Sequence, residues 1–364
     1  MTGKAANGSG DSMAMQQSPH ISWFRDIGLE DRPHVGGKGG SLGELLRAGI
    51  AVPPGFVLRT KAFEHFIAAL ERRAPLRARI ESLASDDLDA ITAVSRELRA
   101  RVEAEALPED LQREILEAHA ALGEAGRTPI VAIRSSATTE DAADASFAGL
   151  QDTFLWVMQP DDMLRRIRSC WASLYSVESV SYRRRQGFPE SAVAMAVVVQ
   201  TMVDARTAGV MFTRSPTTGD RSVITIEGAW GLGSAVVGGE VTPDRWVVGK
   251  ITGEIPVRDI SDKAIRHAPA PTGGVIDVAV GEAERREPCL SDEELLALRA
   301  IGRKVERHYG RAQDIEWAID RHTNDILLLQ SRPETVWSNK EAAPAATAAV
   351  DPLVHVMSIF GGRK

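Results

Sequence analysis

The chain has 364 residues, 43% hydrophobic and 26% charged, with a formal net charge of -7. That balance is globular, and the negative charge excludes a general nucleic-acid binder, which would carry a basic field. Two cysteines, Cys170 and Cys289, exclude a disulfide framework or a cysteine zinc site, and read as small core residues of a cytoplasmic protein.

The length predicts two or three lobes. Residues 1–20, rich in Gly, Ser, Gln and Ala, read as a disordered N-terminus without a signal peptide. Residues 21–54 read as strand, glycine-rich loop, helix and loop. Their run Val35-Gly-Gly-Lys38-Gly-Gly-Ser41-Leu-Gly-Glu44 can bring backbone N–H groups up to an anion. Lys38 supplies charge there, and Ser41 with Glu44 can box the next helix. A tight turn before a helix explains the same residues, and neither the Walker A nor the dinucleotide spacing is met.

Residues 60–123 have helical spacing and predict three or so helices. Residues 129–133 form a short strand, and the run from Arg134 to Asp141 is rich in hydroxyls that can wrap a polyphosphate. An ordinary Ser/Thr turn, with Arg134 paired to Asp141 or Asp144, is the competing reading. Residues 161–185 predict one long helix whose basic end suits the macrodipole. The longest apolar run, residues 192–199, is strand-sized, so no membrane span is expected. It sits within a buried strand, 193–203, that ends in Gln200-Thr201-Met202-Val203. A free backbone edge beside Met202 offers an adenine slot, although Met is more often core filler.

Further strands are expected at 210–212, 223–227 and 245–248, with small or glycine-rich turns after them. Glu227 suits a metal or a ribose hydroxyl, or is a surface acid at a strand end. Residues 256–287 read as a polar meander. A helix follows from Ser291 to Tyr309, boxed by Ser291 and Glu294 and stopped by Gly310. Residues 338–350 read as a linker, and the tail beyond it docks on the parent domain or on a partner.

The densest signal is Gln313-Asp314-Ile315-Glu316-Trp317 followed by Leu328-Leu329-Gln330-Ser331-Arg332-Pro333. Two strands joined by the polar turn 320–325 put Asp314 and Glu316 on one face, and Gln330 with Arg332 on one face. Paired as a hairpin, they bring two carboxylates, an amide and a guanidinium together. Paired carboxylates suit Mg²⁺, and a planar guanidinium suits phosphate. A solvated edge ion pair is the alternative.

Taken in order, seven segments resemble the nucleotide-binding domain of the pyruvate phosphate dikinase and phosphoenolpyruvate synthase family, and that of rifampin phosphotransferases. They are VGGKGGSLGELLRAGIAVPPGF, IRSSATTEDAADASFAGLQDTF, CWASLYS, VVVQTMV, GVMFTRSPTTGD, GAWGLGSAVVGGEVTPD and DIEWAID with LLLQSRPET. The resemblance implies an α/β (α+β), ATP-grasp-like fold. Its first lobe would span 21–203 with a helical insert, its second 204–337, and 338–364 would be linker and tail. It implies ATP and Mg²⁺ as cofactors. Lys38 and Arg134 would contact phosphates, and Asp314 and Glu316 would hold the metal. Gln330 and Arg332 would meet the metal-phosphate end, Arg332 stabilising the phosphoryl group in transfer. Gln200, Met202 and Val203 would line the adenine pocket. Two departures are Ser234, where relatives commonly carry Glu, and Ser215, where they carry Asn. Glu227 or Glu240 is positioned in sequence to compensate for the first.

In the family, phosphate passes to a histidine in a Gly-rich, Thr- or Ser-flanked context. None of the eight histidines here has that context, and little length follows the linker. The expectation is a split enzyme resembling the small subunit of phenylphosphate synthases and cresol-phosphorylating enzymes. Such an enzyme transfers the β-phosphoryl of ATP to a histidine-bearing partner subunit and on to a phenolic hydroxyl, releasing AMP and phosphate. A split phosphoenolpyruvate synthase, an antibiotic phosphotransferase and a non-catalytic ATP sensor are the alternatives.

Overall fold

The computed structural model describes residues 18–123, 127–137, 152–335 and 337. Residues 1–17 of the expected disordered start, 138–149 of the hydroxyl-rich run and its Phe-Ala-Gly, and the linker and tail lie outside the described residues.

The apolar, β-branched runs form two antiparallel sheets. The first contains β1 (Ile21–Trp23), β2 (Gly55–Leu58), β3 (Val131–Ala137), β4 (Thr153–Val157) and β5 (Met195–Thr201), ordered β1-β2-β5-β3-β4. Val197 and Val199 of β5 face a helical core, while Ala196 and Val198 face a second core shared with the other sheet. Burial on both faces explains why β5 reads as an unbroken apolar run.

Helix α1 (Arg32–Arg47) lies in that second core, with Val35, Leu42 and Leu45 buried. Four more helices, α2 (Thr60–Glu71), α3 (Leu76–Glu81), α4 (Leu88–Ala104) and α5 (Glu109–Leu122), stand where three or so were expected. The expected helix at 161–185 is two, α6 (Pro160–Ser173) and α7 (Val177–Gln186), because Ser176 caps the second by accepting from Ser179 N. Its basic end does more than suit the macrodipole. Arg183 is buried and clamped by Glu190 at 2.9 and 3.1 Å, and Arg184 donates to Leu83 O.

The second sheet contains β6 (Ala205–Phe212), β7 (Val223–Trp230), β8 (Asp244–Gly249) and β9 (Val257–Asp259). The short helix α8 (Ser234–Val237) follows β7. Within the expected meander, β10 (Ile265–Pro269) and β11 (Val275–Ala279) make a separate two-stranded ribbon. Helix α9 (Asp292–Tyr309) has the expected Ser291–Glu294 box and ends at Gly310 with φ 67°. β12 (Gln313–Asp320) and β13 (Ile326–Pro333) complete the sheet, ordered β13-β12-β6-β7-β8-β9. The fold is thus mixed α/β, as expected, with two large sheets and the two-stranded ribbon.

The glycine-rich run is not a loop. It lies inside α1, interrupted only at Gly36 with φ 70° and ψ 176°. A Cβ there would meet the Ser136 carbonyl and hydroxyl oxygens at 2.2 Å, so glycine is needed for α1 to approach β3. Ser136 Oγ donates to Val35 O and accepts from Gly39 N, so that N–H is engaged by the protein itself. Ser41 and Glu44 cap no helix start. Ser41 Oγ donates to Ser331 O, and Glu44 meets the His308 ring and Leu29 N.

Both thiols are buried, and burial pushes their pKa values up, which suits packing rather than reactivity. Among the described residues no helix is long and apolar enough to cross a membrane.

Candidate functional site

The β12–β13 hairpin sets the geometry. Asp314 stands opposite Arg332, and Glu316 opposite Gln330. Directly opposed residues share a face, so these side chains form two adjacent rows on one face. The other face sends Ile315, Trp317 and Ile319 into the core. That burial fixes the register, because a one-residue slip would exchange the faces.

The inner row is closed from the first sheet. Arg134 lies mid-strand in β3, not in a loop, with its side chain 10% exposed. Its Nη1 donates to Leu329 O at 2.9 Å, and its Nη2 donates to Glu316 Oε2 at 2.8 Å and Gln330 Oε1 at 2.6 Å. The neighbouring hydroxyls of Ser135 and Ser136 are satisfied by Asp152 O and Val35 O, which lets the run continue as strand.

The outer row is looser. Arg332 Nε lies 3.4 Å from Asp314 Oδ2, with the Arg332 side chain 62% exposed and that of Asp314 22%. Burial pushes the Asp314 carboxyl up to about 6; Arg332 works against that shift and Glu334 adds to it.

Beside the inner row a cavity of about 350 Å³ opens between the two sheets. Gln200, Met202 and Val203 line it from the first sheet, Ala208 and Leu329 from the second. The backbone edge beside Met202 is engaged at one donor, the Met202 N–H, which bonds Ile130 O at 2.9 Å. The side chain of Gln200 holds an unpaired donor. Its Nε2, Thr201 Oγ1 and Arg134 Nε are buried without a hydrogen-bond partner among the described residues. Buried polar groups are normally paired, and these three belong to residues lining one cavity, so they offer contacts to a polar ligand there.

The structure therefore gathers Arg134, Gln200, Met202, Val203 and Glu316 around the cavity, with Gln330 bonded to Arg134. Lys38, Glu227, Asp314 and Arg332 lie outside the cavity lining. Lys38, 7% exposed, sits one helical turn before Ser41, which contacts β13 between Gln330 and Arg332. Glu227 stands opposite Val210, which stands opposite Glu316, so it shares their face two strands away. It is half-buried in mid-strand, and burial raises its pKa against the pull of Arg245. Sequence reasoning missed the wall made by Thr153 and Leu155 of β4. The β-branched and aromatic run Thr-Phe-Leu-Trp-Val was the available signal.

The donor set fits a Mg·nucleotide. Asp314 and Glu316 offer oxygens on one face, Arg134 and Gln200 have unused donors, and the slot beside them is apolar. Ser234, at the departure from the familiar pattern, lines the cavity and bonds the His267 ring.

Residues 32–351 match the family model of the pyruvate phosphate dikinase AMP/ATP-binding domain. A probable phosphoenolpyruvate synthase of Methanothermobacter thermautotrophicus is 42% identical over 318 residues, covering 87% of this chain and 46% of its own. The phosphoenolpyruvate synthase of Pyrococcus furiosus is 36% identical over 366 residues, covering 90% and 45%. This chain spans less than half the length of either relative. Among solved structures, D-alanyl-alanine synthetase A of Vibrio cholerae overlaps 66% of this chain and 54% of its own. At 12% identity and a TM-score of 0.22 that overlap carries no argument.

Proposed function

We propose a function from one premise: the chain belongs to the pyruvate phosphate dikinase AMP/ATP-binding domain family. It is the ATP-binding part of a dikinase-type phosphotransferase. The observation that carries this reading is the cavity between the sheets, apolar at one end and bordered at the other by Arg134, Glu316 and Gln330.

Adenine enters the slot beside Met202 and Val203, where the orphan amide of Gln200 meets a ring nitrogen. The polyphosphate runs toward the inner row. Arg134 is poised to exchange its carboxylate partner for phosphate oxygens, which its fork fits in pairs. Asp314 and Glu316 would hold Mg²⁺, which supplies charge neutralisation between phosphates. Lys38 and Gln330 support the phosphates, and Arg332 at the solvent edge stabilises the charge of the phosphoryl in transfer. Glu227, on the same face two strands from Glu316, would meet the metal or a ribose hydroxyl from across the sheet. Phosphoryl transfer needs alignment and charge compensation more than covalent chemistry from the protein, and this set offers both.

The phosphoryl acceptor is a histidine outside this chain, on a partner subunit. None of the eight histidines in these 364 residues has a Gly-rich, Ser- or Thr-flanked context, which supports an acceptor beyond them; the partner subunit itself is the proposal. For the final acceptor, a phenolic hydroxyl follows from the resemblance to the split aromatic enzymes. The names of the relatives favour pyruvate instead. The two buried thiols suit a cytoplasmic setting.

The test is incubation with ATP labelled in the β-phosphate and a histidine-bearing partner, followed by addition of phenol, cresol or pyruvate. AMP and a labelled histidine are expected, with discharge by one acceptor class. ATP binding without AMP would leave a sensor, and no binding with or without the partner would overturn the reading.

A further inference from the structure

A second polar cluster lies outside the nucleotide site and joins three segments. Glu240 follows α8, His267 is on β10, and Asp277 stands opposite His267 on β11. His267 Nε2 lies 3.1 Å from Glu240 Oε2 and 3.2 Å from Asp277 Oδ1. One ligand atom from each of the three falls within 4.8 Å of the others. The other ring nitrogen, Nδ1, lies 2.7 Å from Ser234 Oγ. The His267 side chain is 9% exposed, and its backbone is fixed too. Leu232 N donates to His267 O at 3.0 Å. A Cβ on Gly231, at φ 78°, would meet that oxygen at 2.4 Å, so only glycine admits the approach.

We propose that Glu240, His267 and Asp277 form a site for a divalent transition-metal ion of the zinc or manganese class. Two carboxylates aim at one ring nitrogen, whose single N–H cannot serve both well, and the acids repel each other. A cation at their common point satisfies all three groups. The spacing agrees. Ligands each about 2.1 Å from one ion stand about 3.0–3.4 Å apart at octahedral or tetrahedral angles. The two nitrogen–oxygen separations, 3.1 and 3.2 Å, lie in that interval.

Ser234 completes the argument from the other side of the ring. If its hydroxyl accepts from Nδ1–H, the Nε2 lone pair faces the carboxylates, and such an outer partner is the usual companion of a ligating histidine. One nitrogen and two carboxylates suit zinc or manganese better than magnesium, which prefers an all-oxygen shell. The carboxylates, 50% and 62% exposed, open on a cleft of about 940 Å³ that leaves positions for water or a ligand. Ser234 borders both this cleft and the nucleotide cavity. The metal thus fastens the β10–β11 ribbon to the glycine turn that lines the nucleotide cavity.

The test is calorimetric titration of the metal-free chain with Zn²⁺, Mn²⁺ and Mg²⁺ separately. One tight Zn²⁺ or Mn²⁺ per chain is expected, weakened at least tenfold in His267→Gln and in Asp277→Asn. Asp277 is exposed and outside the nucleotide cavity, so Asp277→Asn should fold and bind an ATP analogue normally. No stoichiometric uptake, or uptake unchanged in both variants, overturns the site and leaves a histidine ion-paired between two acids. Mg²⁺ binding as tightly overturns the metal class. Nucleotide binding is read separately, so failure here leaves the proposed function standing.

Discussion

The two rows of the β12–β13 hairpin each carry a carboxylate and a polar partner two residues apart, yet their environments differ. The inner row, Glu316 with Gln330, is covered by Arg134 from the other sheet, and the guanidinium is 10% exposed. The outer row, Asp314 with Arg332, has no such cover among the described residues in the Arg332 direction, and that side chain is 62% exposed. The inner arginine is therefore part of the structure as well as the site. The outer one makes a single long contact, to Asp314 at 3.4 Å, and the proposed role in transfer asks little of it structurally.

The largest expected effect falls on the outer row. Arg332→Ala should lower phosphoryl transfer by about 10³-fold, the scale of an arginine that meets a transferring phosphoryl. Its unfolding free energy should change by less than about 0.5 kcal/mol, since exposed pairs contribute little. AMP release and urea denaturation measure the two, and a stability loss without a rate loss would reverse the assignment of rows.

Arg134→Ala should act on both quantities. It strips donors from Glu316, Gln330 and Leu329 O at once, costing about 2–3 kcal/mol of stability after allowance for the partial exposure of Glu316. Nucleotide affinity should fall at least tenfold. Arg134→Lys should not restore it, because a point charge cannot reproduce the fork. Full rescue by Lys would reduce the inner row to simple charge.

Asp314 gives the finest test. Its carboxyl rises from 3.8 to about 6 on folding. The folded state then holds the proton more tightly than the unfolded one, so stability falls as pH rises from about 4 to 6 and stays level above. Asp314→Asn should stabilise the chain at pH 8 by on the order of 2 kcal/mol and have little effect at pH 3. In the unaltered chain, Mg²⁺-dependent nucleotide binding should weaken as pH drops below about 6, because the proton competes with the cation. A flat pH profile would place the metal on other groups.

Much of this was legible because strand alternation is local. Asp314, Glu316, Gln330 and Arg332 share a face by period alone, and the Ser291–Glu294 box marks its helix within four residues. What was not legible depends on distant contacts. Arg134 and Glu316 are 182 positions apart, and no local pattern pairs them. The glycines of α1 read as a loop because glycine is costly in a helix. The structure shows that Gly36 is required by Ser136, a residue 100 positions away, while Val35, Leu42 and Leu45 anchor the helix in the core. The bond from the Met202 N–H to Ile130 O was likewise invisible, since it comes from a distant segment.

The central claim is that ATP binds between the sheets against the inner row. Calorimetric titration with Mg²⁺ and a non-hydrolysable ATP analogue, comparing the unaltered chain with Glu316→Gln, tests it most directly. One nucleotide per chain, bound at least tenfold more weakly by Glu316→Gln only when Mg²⁺ is present, is the result the account predicts. Equal affinity in the two chains, with Mg²⁺ present, would contradict it.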